Sequence, residues 1–336
     1  MRWRRPGRRA ADPGVVAPVL DELAGQAVAG AHRAIARLIT LVEDERADVN
    51  AEVAAALTPH AGRARVIGLT GPPGVGKSTT TSALITALRA AGHRVGVLAI
   101  DPSSPFSGGA LLGDRIRMTE HAVDDGVFIR SMATRGQLGG LAVATPQAVR
   151  VLDAAGFDVV LVETVGVGQS EVDVVRLADT TVVLLAPGMG DGIQAAKAGV
   201  LEIADVFVVN KADRDGAEVT VRDLEQMIAM SRRGIRGPSW RQPVVRTVAA
   251  DGSGITDMLG ALDRHASWLL DTGELERRRA RRAAEEIQAI ALRGLRAELG
   301  RLSGGDRLEE LAREVAVGRT DSYAAAARLV DLLKRA

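Results

Sequence analysis

The stretch "RVIGLTGPPGVGKSTTTSALITALRA", residues 65–90, decides the fold. It opens with a short apolar run typical of a buried strand, passes through a glycine-rich turn and ends in a segment with helical composition. The turn, Gly71 to Thr79, matches the pattern G-x-x-x-x-G-K-[ST] in full. Its place between a strand and a helix is the context that this motif requires, so the sequence predicts a phosphate-binding loop.

Each residue type in this loop has a physical role in holding phosphates. The glycines let backbone N–H groups turn inward, and the helix that follows adds the positive end of its dipole. We expect Lys77 to reach the β- and γ-phosphates and the Ser78 hydroxyl to ligate Mg²⁺. The nucleotide-binding residues predicted in this loop are Gly71, Pro72, Pro73, Gly74, Val75, Gly76, Lys77, Ser78 and Thr79.

A second nucleotide motif lies in "VVNKADR", where Asn210, Lys211 and Asp213 form the pattern N-K-x-D. A carboxylate at the last position can accept hydrogen bonds from the ring N–H and the exocyclic amine of guanine, and adenine presents no such pair. The Lys211 stem is expected to cover the base, and Asn210 is expected to tie this loop to the phosphate loop. The motif therefore predicts GTP rather than ATP as the nucleotide.

The stretch "TVAADGSGI" is predicted to complete the base site. Many GTPases carry Ser-Ala here, whereas this chain has Val248-Ala249. A backbone donor does not depend on the side chain, so we expect the Ala249 N–H to bind the guanine carbonyl oxygen. The residues predicted to line this part of the site are Val248, Ala249 and Ala250.

Acidic residues follow two of the predicted strands at the edge where an open α/β sheet binds its ligand. Asp101 ends the second strand and Glu163 ends the strand "DVVLVE", so both are predicted to hold Mg²⁺, each through water. Asp114 is either a catalytic residue or a helix N-cap. Gly166 is expected to contact the γ-phosphate through its N–H. Val167 stands where a Ras-type switch carries a water-orienting Gln, which predicts slow intrinsic hydrolysis.

Apolar runs and helical segments alternate between residues 61 and 271. The runs are continuously apolar, as in a parallel sheet covered on both faces. The pattern predicts an α/β fold of the P-loop NTPase kind, with a mostly parallel, doubly wound sheet. Helical periodicity alone predicts an N-terminal helical segment over 1–60 and a C-terminal helical region over 272–336. The basic start, "MRWRRPGRRA", is expected to be disordered.

Composition excludes several functional classes. The chain has 336 residues, of which 46% are apolar and 2% aromatic, and its net charge is +1. Few rings and balanced charge argue against nucleic-acid or membrane partners. The chain has no cysteine and its five histidines are scattered, which argues against thiolate and histidine metal sites. No apolar run has membrane length and no secretory signal is present, so we expect a cytoplasmic protein.

Four motifs together resemble the MeaB/ArgK/MMAA family of P-loop GTPases. They are "GPPGVGKST", "DPSSPFSGGALLGDRIRM", "ETVGVGQSE" and "NKAD", and the similarity extends over roughly residues 15 to 330. The resemblance implies a SIMIBI-type P-loop fold, marked by a Glu in place of the Walker B Asp. It also implies a homodimeric GTPase chaperone for adenosylcobalamin-dependent methylmalonyl-CoA mutase, with a cobalamin adenosyltransferase as a further partner.

The resemblance also assigns residues. The family's acids in the magnesium and switch regions match Asp101, Asp114 and Glu163. Its "switch III" loop matches residues 186–197, which gives Lys197 a catalytic role in partner-stimulated hydrolysis, with a solvent-exposed lysine as the alternative. Dimerisation in the family uses C-terminal helices, which match the region from 273 onwards.

Two other functions compete with the chaperone. One is an ATP-dependent kinase of an arginine/ornithine-binding transport protein, against which Asp213 argues because an N-K-x-D site rejects ATP. The other is a nickel-insertion GTPase, which would need the His or Cys clusters that this chain lacks.

Overall fold

The computed structural model describes most of the chain in two compact units, Met1–Leu275 and Glu276–Ala336. The described residues are 13–44, 46–101, 118–121, 123–133, 144–164, 177–188, 203–232, 239–303 and 307–333. The basic start of the chain, for which we predicted disorder, lies outside them. The domain limits at 60/61 and 271/272 stay a prediction.

A seven-stranded sheet forms the centre of the first unit. Its order is β3-β2-β4-β1-β5-β6-β7, and every pairing among these strands is parallel, which confirms the predicted α/β class. The strands are β1 (Arg65–Thr70), β2 (Val95–Asp101), β3 (Val127–Ala133), β4 (Val159–Thr164), β5 (Thr180–Leu185), β6 (Val206–Asn210) and β7 (Val244–Thr247).

Helices cover both faces of the sheet. Those of the first unit are α1 (Pro13–Val28), α2 (His32–Glu43), α3 (Ala47–Leu57), α4 (Lys77–Ala90), α5 (Ala144–Ala154), α6 (Ala217–Ser231) and α7 (Ile255–Asp271). The helices α8 (Glu274–Ser303), α9 (Arg307–Ala316) and α10 (Ser322–Leu333) follow them. Among the residues that the structure describes, no helix is both long and apolar enough to span a bilayer.

The continuous apolar strands divide their side chains between two cores, because successive strand residues point to opposite faces. Val160 and Val162 of β4 belong to the core under α1, α2, α3 and α5. Val159 and Leu161 of the same strand belong to the core under α4 and α7. The N-terminal helices therefore share a core with the sheet, which periodicity alone does not reveal.

Three aspartates secure the amino edge of the sheet. Asp158, Asp179 and Asp205 each stand one residue before a strand, and each accepts a hydrogen bond from the backbone N–H of a neighbouring strand or the residue before it. Such N–H groups have no ladder partner, so the carboxylates replace the missing acceptors. The donors are the backbone N atoms of Arg94 at 2.7 Å, Val66 at 3.1 Å and Thr181 at 2.9 Å, respectively.

We expect Asp179→Ala to lower the free energy of unfolding by about 2 kcal/mol, because the buried Val66 N–H loses its acceptor. Asp158→Ala is the matched control: its side chain is 53% exposed, and water can replace the lost acceptor. Urea unfolding of both variants measures the difference. Equal losses of stability in the two variants would contradict this account of burial.

The second unit exposes an apolar surface. Helices α9 and α10 pack together, bury Leu311 and Ala325, and are joined by an ion pair between Arg328 and Glu314 at 2.6 Å. Large apolar side chains nevertheless remain open to solvent in this unit. They are Ile287, Ile290, Leu292, Leu295, Leu308, Val317, Tyr323 and Val330.

Candidate nucleotide-binding site

The phosphate loop joins the carboxyl end of β1 to the start of α4, as predicted. Gly71 and Gly76 have φ angles of +144° and +95°. A Cβ on Gly71 would lie 2.2 Å from the carbonyl oxygen of Leu184, and a Cβ on Gly76 would lie 2.4 Å from Asn210 Nδ2. Only glycine fits these close approaches, and the resulting curved backbone suits a phosphate surrounded by N–H groups.

Lys77 lies within this loop. The residue is 8% exposed, and its Nζ donates hydrogen bonds to the carbonyl oxygens of Gly71 at 2.7 Å and Pro72 at 3.0 Å. These bonds hold the ammonium group against the loop, so its positive charge lies beside the loop's backbone N–H groups. The arrangement fits the predicted contact between Lys77 and nucleotide phosphates.

Glu163 lies at the carboxyl end of β4 and is 2% exposed. Its Oε1 accepts a hydrogen bond from the Ser78 hydroxyl at 2.8 Å, and its Oε2 accepts one from the Thr81 hydroxyl at 2.7 Å. A buried carboxylate beside a hydroxyl provides the hard oxygen donors that Mg²⁺ prefers. The residues present therefore fit the ion predicted for this place.

The N-K-x-D loop is bonded directly to the phosphate loop. Asn210 Nδ2 donates to the carbonyl oxygen of Val75 at 2.8 Å, and Lys211 Nζ donates to that of Gly74 at 2.6 Å. Lys211 has a φ of +57°, so its backbone adopts the left-handed conformation that non-glycine residues rarely occupy. The predicted tie between the two loops is thus present, and the exposed Asp213 follows in the same turn.

The N–H expected to bind the guanine carbonyl oxygen has a partner within the protein. The Ala249 N–H donates to Asn210 Oδ1 at 3.0 Å, so it already has an acceptor. Val248 is also engaged, since its N–H donates to the carbonyl oxygen of Ser253 at 2.9 Å. Ala250 is exposed, and its N–H has no acceptor in the part of the chain that the structure describes. We therefore propose the Ala250 N–H as the donor to the guanine carbonyl oxygen.

Comparison with known proteins agrees with this geometry. The family described as methylmalonyl Co-A mutase-associated GTPase MeaB matches residues 35–300, a range that includes the phosphate loop and the N-K-x-D loop. The chain belongs to the MeaB family. The predicted resemblance is confirmed.

Individual relatives extend the match over almost the whole MeaB-type chain. A Pyrococcus abyssi protein named as a GTPase is 48% identical over 308 residues, covering 92% of this chain and 95% of its own. The mouse mitochondrial protein named methylmalonic aciduria type A homolog is 42% identical over 214 residues, covering 63% of this chain and 52% of its own. A solved structure of a protein named LAO/AO transport system kinase superposes with a TM-score of 0.67 at 25% identity, covering 94% of this chain and 98% of its own.

These matches confirm the predicted P-loop NTPase fold of SIMIBI type and identify the MeaB-family chain as a GTPase. A GTPase binds guanine nucleotides, in agreement with the N-K-x-D loop that the structure bonds to the phosphate loop. Individual catalytic and metal roles remain proposals.

Several predicted residues lie beyond what the structure describes. Asp114, Gly166 and Lys197 are outside the described residues, as is Val167. Asp101 is the last residue of β2. Because the preceding Ile100 pairs with Thr164, the backbone of Asp101 lies at the edge of the sheet where β4 ends. Among the described residues no cluster of three or more His, Cys, Asp or Glu could hold a metal, so a cation here would depend on hydroxyl and phosphate oxygens as well.

Thr81 is a site residue that the sequence argument missed. It is fully buried, and its hydroxyl holds the second oxygen of Glu163. The signal was present in "GKSTTTS", because residues three apart on a helix face the same neighbour, and Thr81 lies three residues after Ser78. The Thr81 hydroxyl therefore helps to orient the Glu163 carboxylate.

Proposed function

We propose that this MeaB-family GTPase is a chaperone of adenosylcobalamin-dependent methylmalonyl-CoA mutase. In this proposal it binds the mutase, gates loading of the cofactor from an adenosyltransferase, and protects or reactivates the mutase. The observation that carries the proposal is the match over residues 35–300 to a family described as mutase-associated. The name of the mouse relative, which refers to methylmalonic aciduria, supports the same substrate chemistry.

The site supports a slow GTPase in this role. Lys77 would bind the phosphates, while Ser78 and Glu163 would hold Mg²⁺, with Asp101 nearby through water. Mg²⁺, when bound, neutralises charge that develops on the transferred phosphoryl group. Positioning of the attacking water supplies much of the remaining catalysis, and Val167 cannot orient it as a Gln would.

A partner would then complete the site. We propose that the mutase repositions the loop that carries Val167 and the loop that carries Lys197, so that hydrolysis accelerates in the complex. A slow intrinsic rate lets the GTP-bound state persist until the partner arrives. On this view Lys197 acts in the stimulated reaction rather than in nucleotide binding.

We also propose a homodimer formed through the second unit. Among the apolar side chains of α8 and α10, Ile287 is 67% exposed to solvent and Tyr323 is 89% exposed. Exposed apolar side chains in such number are typical of a protein–protein interface. A second copy of the same unit would cover them, because a two-fold interface pairs one patch with itself.

The alternative is a kinase acting on a transport protein, favoured by the name of the protein whose solved structure superposes on this chain. It would need ATP, whereas the N-K-x-D loop offers a carboxylate that pairs with guanine. Turnover of ATP as fast as GTP by the purified protein would reverse our preference.

The decisive experiment measures GTP hydrolysis with and without purified methylmalonyl-CoA mutase. We expect stimulation on the order of tenfold or more, because contacts with the mutase would position the attacking water that Val167 cannot orient. Size-exclusion chromatography with light scattering of the protein alone should give twice the 35.2 kDa of one chain. A second run with the mutase added should show the two proteins eluting together. An unchanged rate together with separate elution would refute the chaperone.

A further inference from the structure

A cavity of about 660 Å³ opens beside the predicted nucleotide site. Its lining combines the end of the phosphate loop, the outer side of α4 and the loop after β7. Glu120 is its one charged lining residue within the described part of the chain. Thr79, Ser82 and Ala250 also line it.

The cavity extends from the phosphate loop to the loop after β7. Thr79 ends the phosphate-binding motif, and Ala250 carries the N–H that we assign to the base. The sugar of any nucleotide connects its phosphates to its base. Because Thr79 and Ala250 line the same cavity, a nucleotide held at both ends places its ribose in this space.

Glu120 is held at this cavity by two neighbours. The Ser82 hydroxyl on α4 donates a short hydrogen bond to Glu120 Oε1. His121 Nε2 lies 2.9 Å from the Ser82 hydroxyl oxygen and 3.2 Å from the Ser82 carbonyl oxygen, and these contacts fix the turn that carries Glu120. The Glu120 side chain is 67% exposed, and its Oε2 accepts no hydrogen bond from the residues that the structure describes.

We propose that Glu120 binds the ribose hydroxyls of the guanine nucleotide. A carboxylate repels phosphate but accepts hydrogen bonds from hydroxyl groups, and an acidic residue serves the ribose in the same way in dinucleotide-binding folds. Ser82 is a positioning residue, because its hydroxyl holds one oxygen of the Glu120 carboxylate and leaves the other available to a ligand in the cavity. This inference rests on guanine-nucleotide binding at the proposed site and is independent of the mutase.

The test compares the Kd of GDP with that of 2′,3′-dideoxy-GDP by calorimetry, for the full chain and for Glu120→Ala. The wild-type protein should bind GDP about tenfold more tightly than the dideoxy analogue, because a charged acceptor strengthens the hydroxyl bonds. In Glu120→Ala the ratio should fall to about one, while the affinity for the dideoxy analogue stays the same. Glu120→Gln, which keeps an acceptor without the charge, should give an intermediate ratio.

Asp257→Asn is the matched control, since Asp257 is exposed on α7 beside Thr256 but does not line the cavity. It should keep the wild-type ratio, and thermal unfolding without nucleotide should show that all variants are folded. A wild-type ratio near one, or an unchanged ratio in Glu120→Ala, overturns the ribose assignment. Failure to bind GDP at all would instead refute the nucleotide site and the GTPase function with it, whereas loss of the ribose assignment alone leaves the mutase assay unaffected.

Discussion

Gly76→Ala is expected to weaken GTP binding by about 100-fold or more, because strain and lost contacts of about 3 kcal/mol act on both nucleotide loops. The φ of +95° alone costs an L residue about 1–2 kcal/mol. The new Cβ would also lie 2.4 Å from Asn210 Nδ2, which donates to the Val75 carbonyl oxygen. Asn210 must move, and its bond from the Ala249 N–H is lost with it.

Binding of a non-hydrolysable GTP analogue, measured by calorimetry, checks this expectation. Gly92→Ala is the control: Gly92 has a φ of +87°, a Cβ added to it would have no neighbouring atom within 4 Å, and it is outside the nucleotide site. It should lose stability from backbone strain alone and bind the analogue as the wild type does. If Gly76→Ala also binds normally, the contact between the two loops is not required for nucleotide binding.

The sheet was predictable because its strands are continuous apolar runs. β4, for example, is buried at every position, so any register leaves apolar side chains on both faces, and the helices between strands then force parallel pairing. Which helices pack against the sheet was harder to predict from the sequence. The periodicity of α2 marks Ile35 and Leu38 as one face, but nothing in the sequence states that this face meets the sheet.

The candidate site, like the fold, was only partly predictable from the sequence. Lys77, Ser78 and Asn210 follow from motifs, because each motif fixes a local backbone shape. The contact between Gly71 and the Leu184 carbonyl oxygen joins strands that are more than a hundred residues apart, and no local pattern records it. The donor to the base could not be chosen between Ala249 and Ala250 until the Asn210 side chain was placed, since its carbonyl oxygen takes one of the two N–H groups.

Asp213→Asn should convert the site from guanine to xanthine. Guanine presents two donors, the ring N–H and the exocyclic amine, and a carboxylate accepts from both. Xanthine replaces the amine with a carbonyl oxygen, which an Asn amide can donate to while its own oxygen accepts from the ring N–H. We expect affinity for GDP to fall by about 100-fold, as charge-assisted bonds contribute roughly 1.5–3 kcal/mol each, while affinity for XDP rises.

Competition between GDP, XDP and ADP for a fluorescent nucleotide measures the change. Asp215→Asn is the control, because Asp215 is exposed two residues later and lies outside the N-K-x-D pattern, so it should keep the preference for GDP. The hydrogen bond from Lys211 Nζ to the Gly74 carbonyl oxygen, 2.6 Å long, involves neither the Asp213 nor the Asp215 side chain, so the difference between the two variants isolates the Asp213 carboxylate. If Asp213→Asn still prefers GDP, we would infer that the backbone around Ala250 recognises the base instead of Asp213. If the wild type binds ADP as tightly as GDP, the predicted guanine specificity is wrong and the alternative function as an ATP-dependent kinase is favoured.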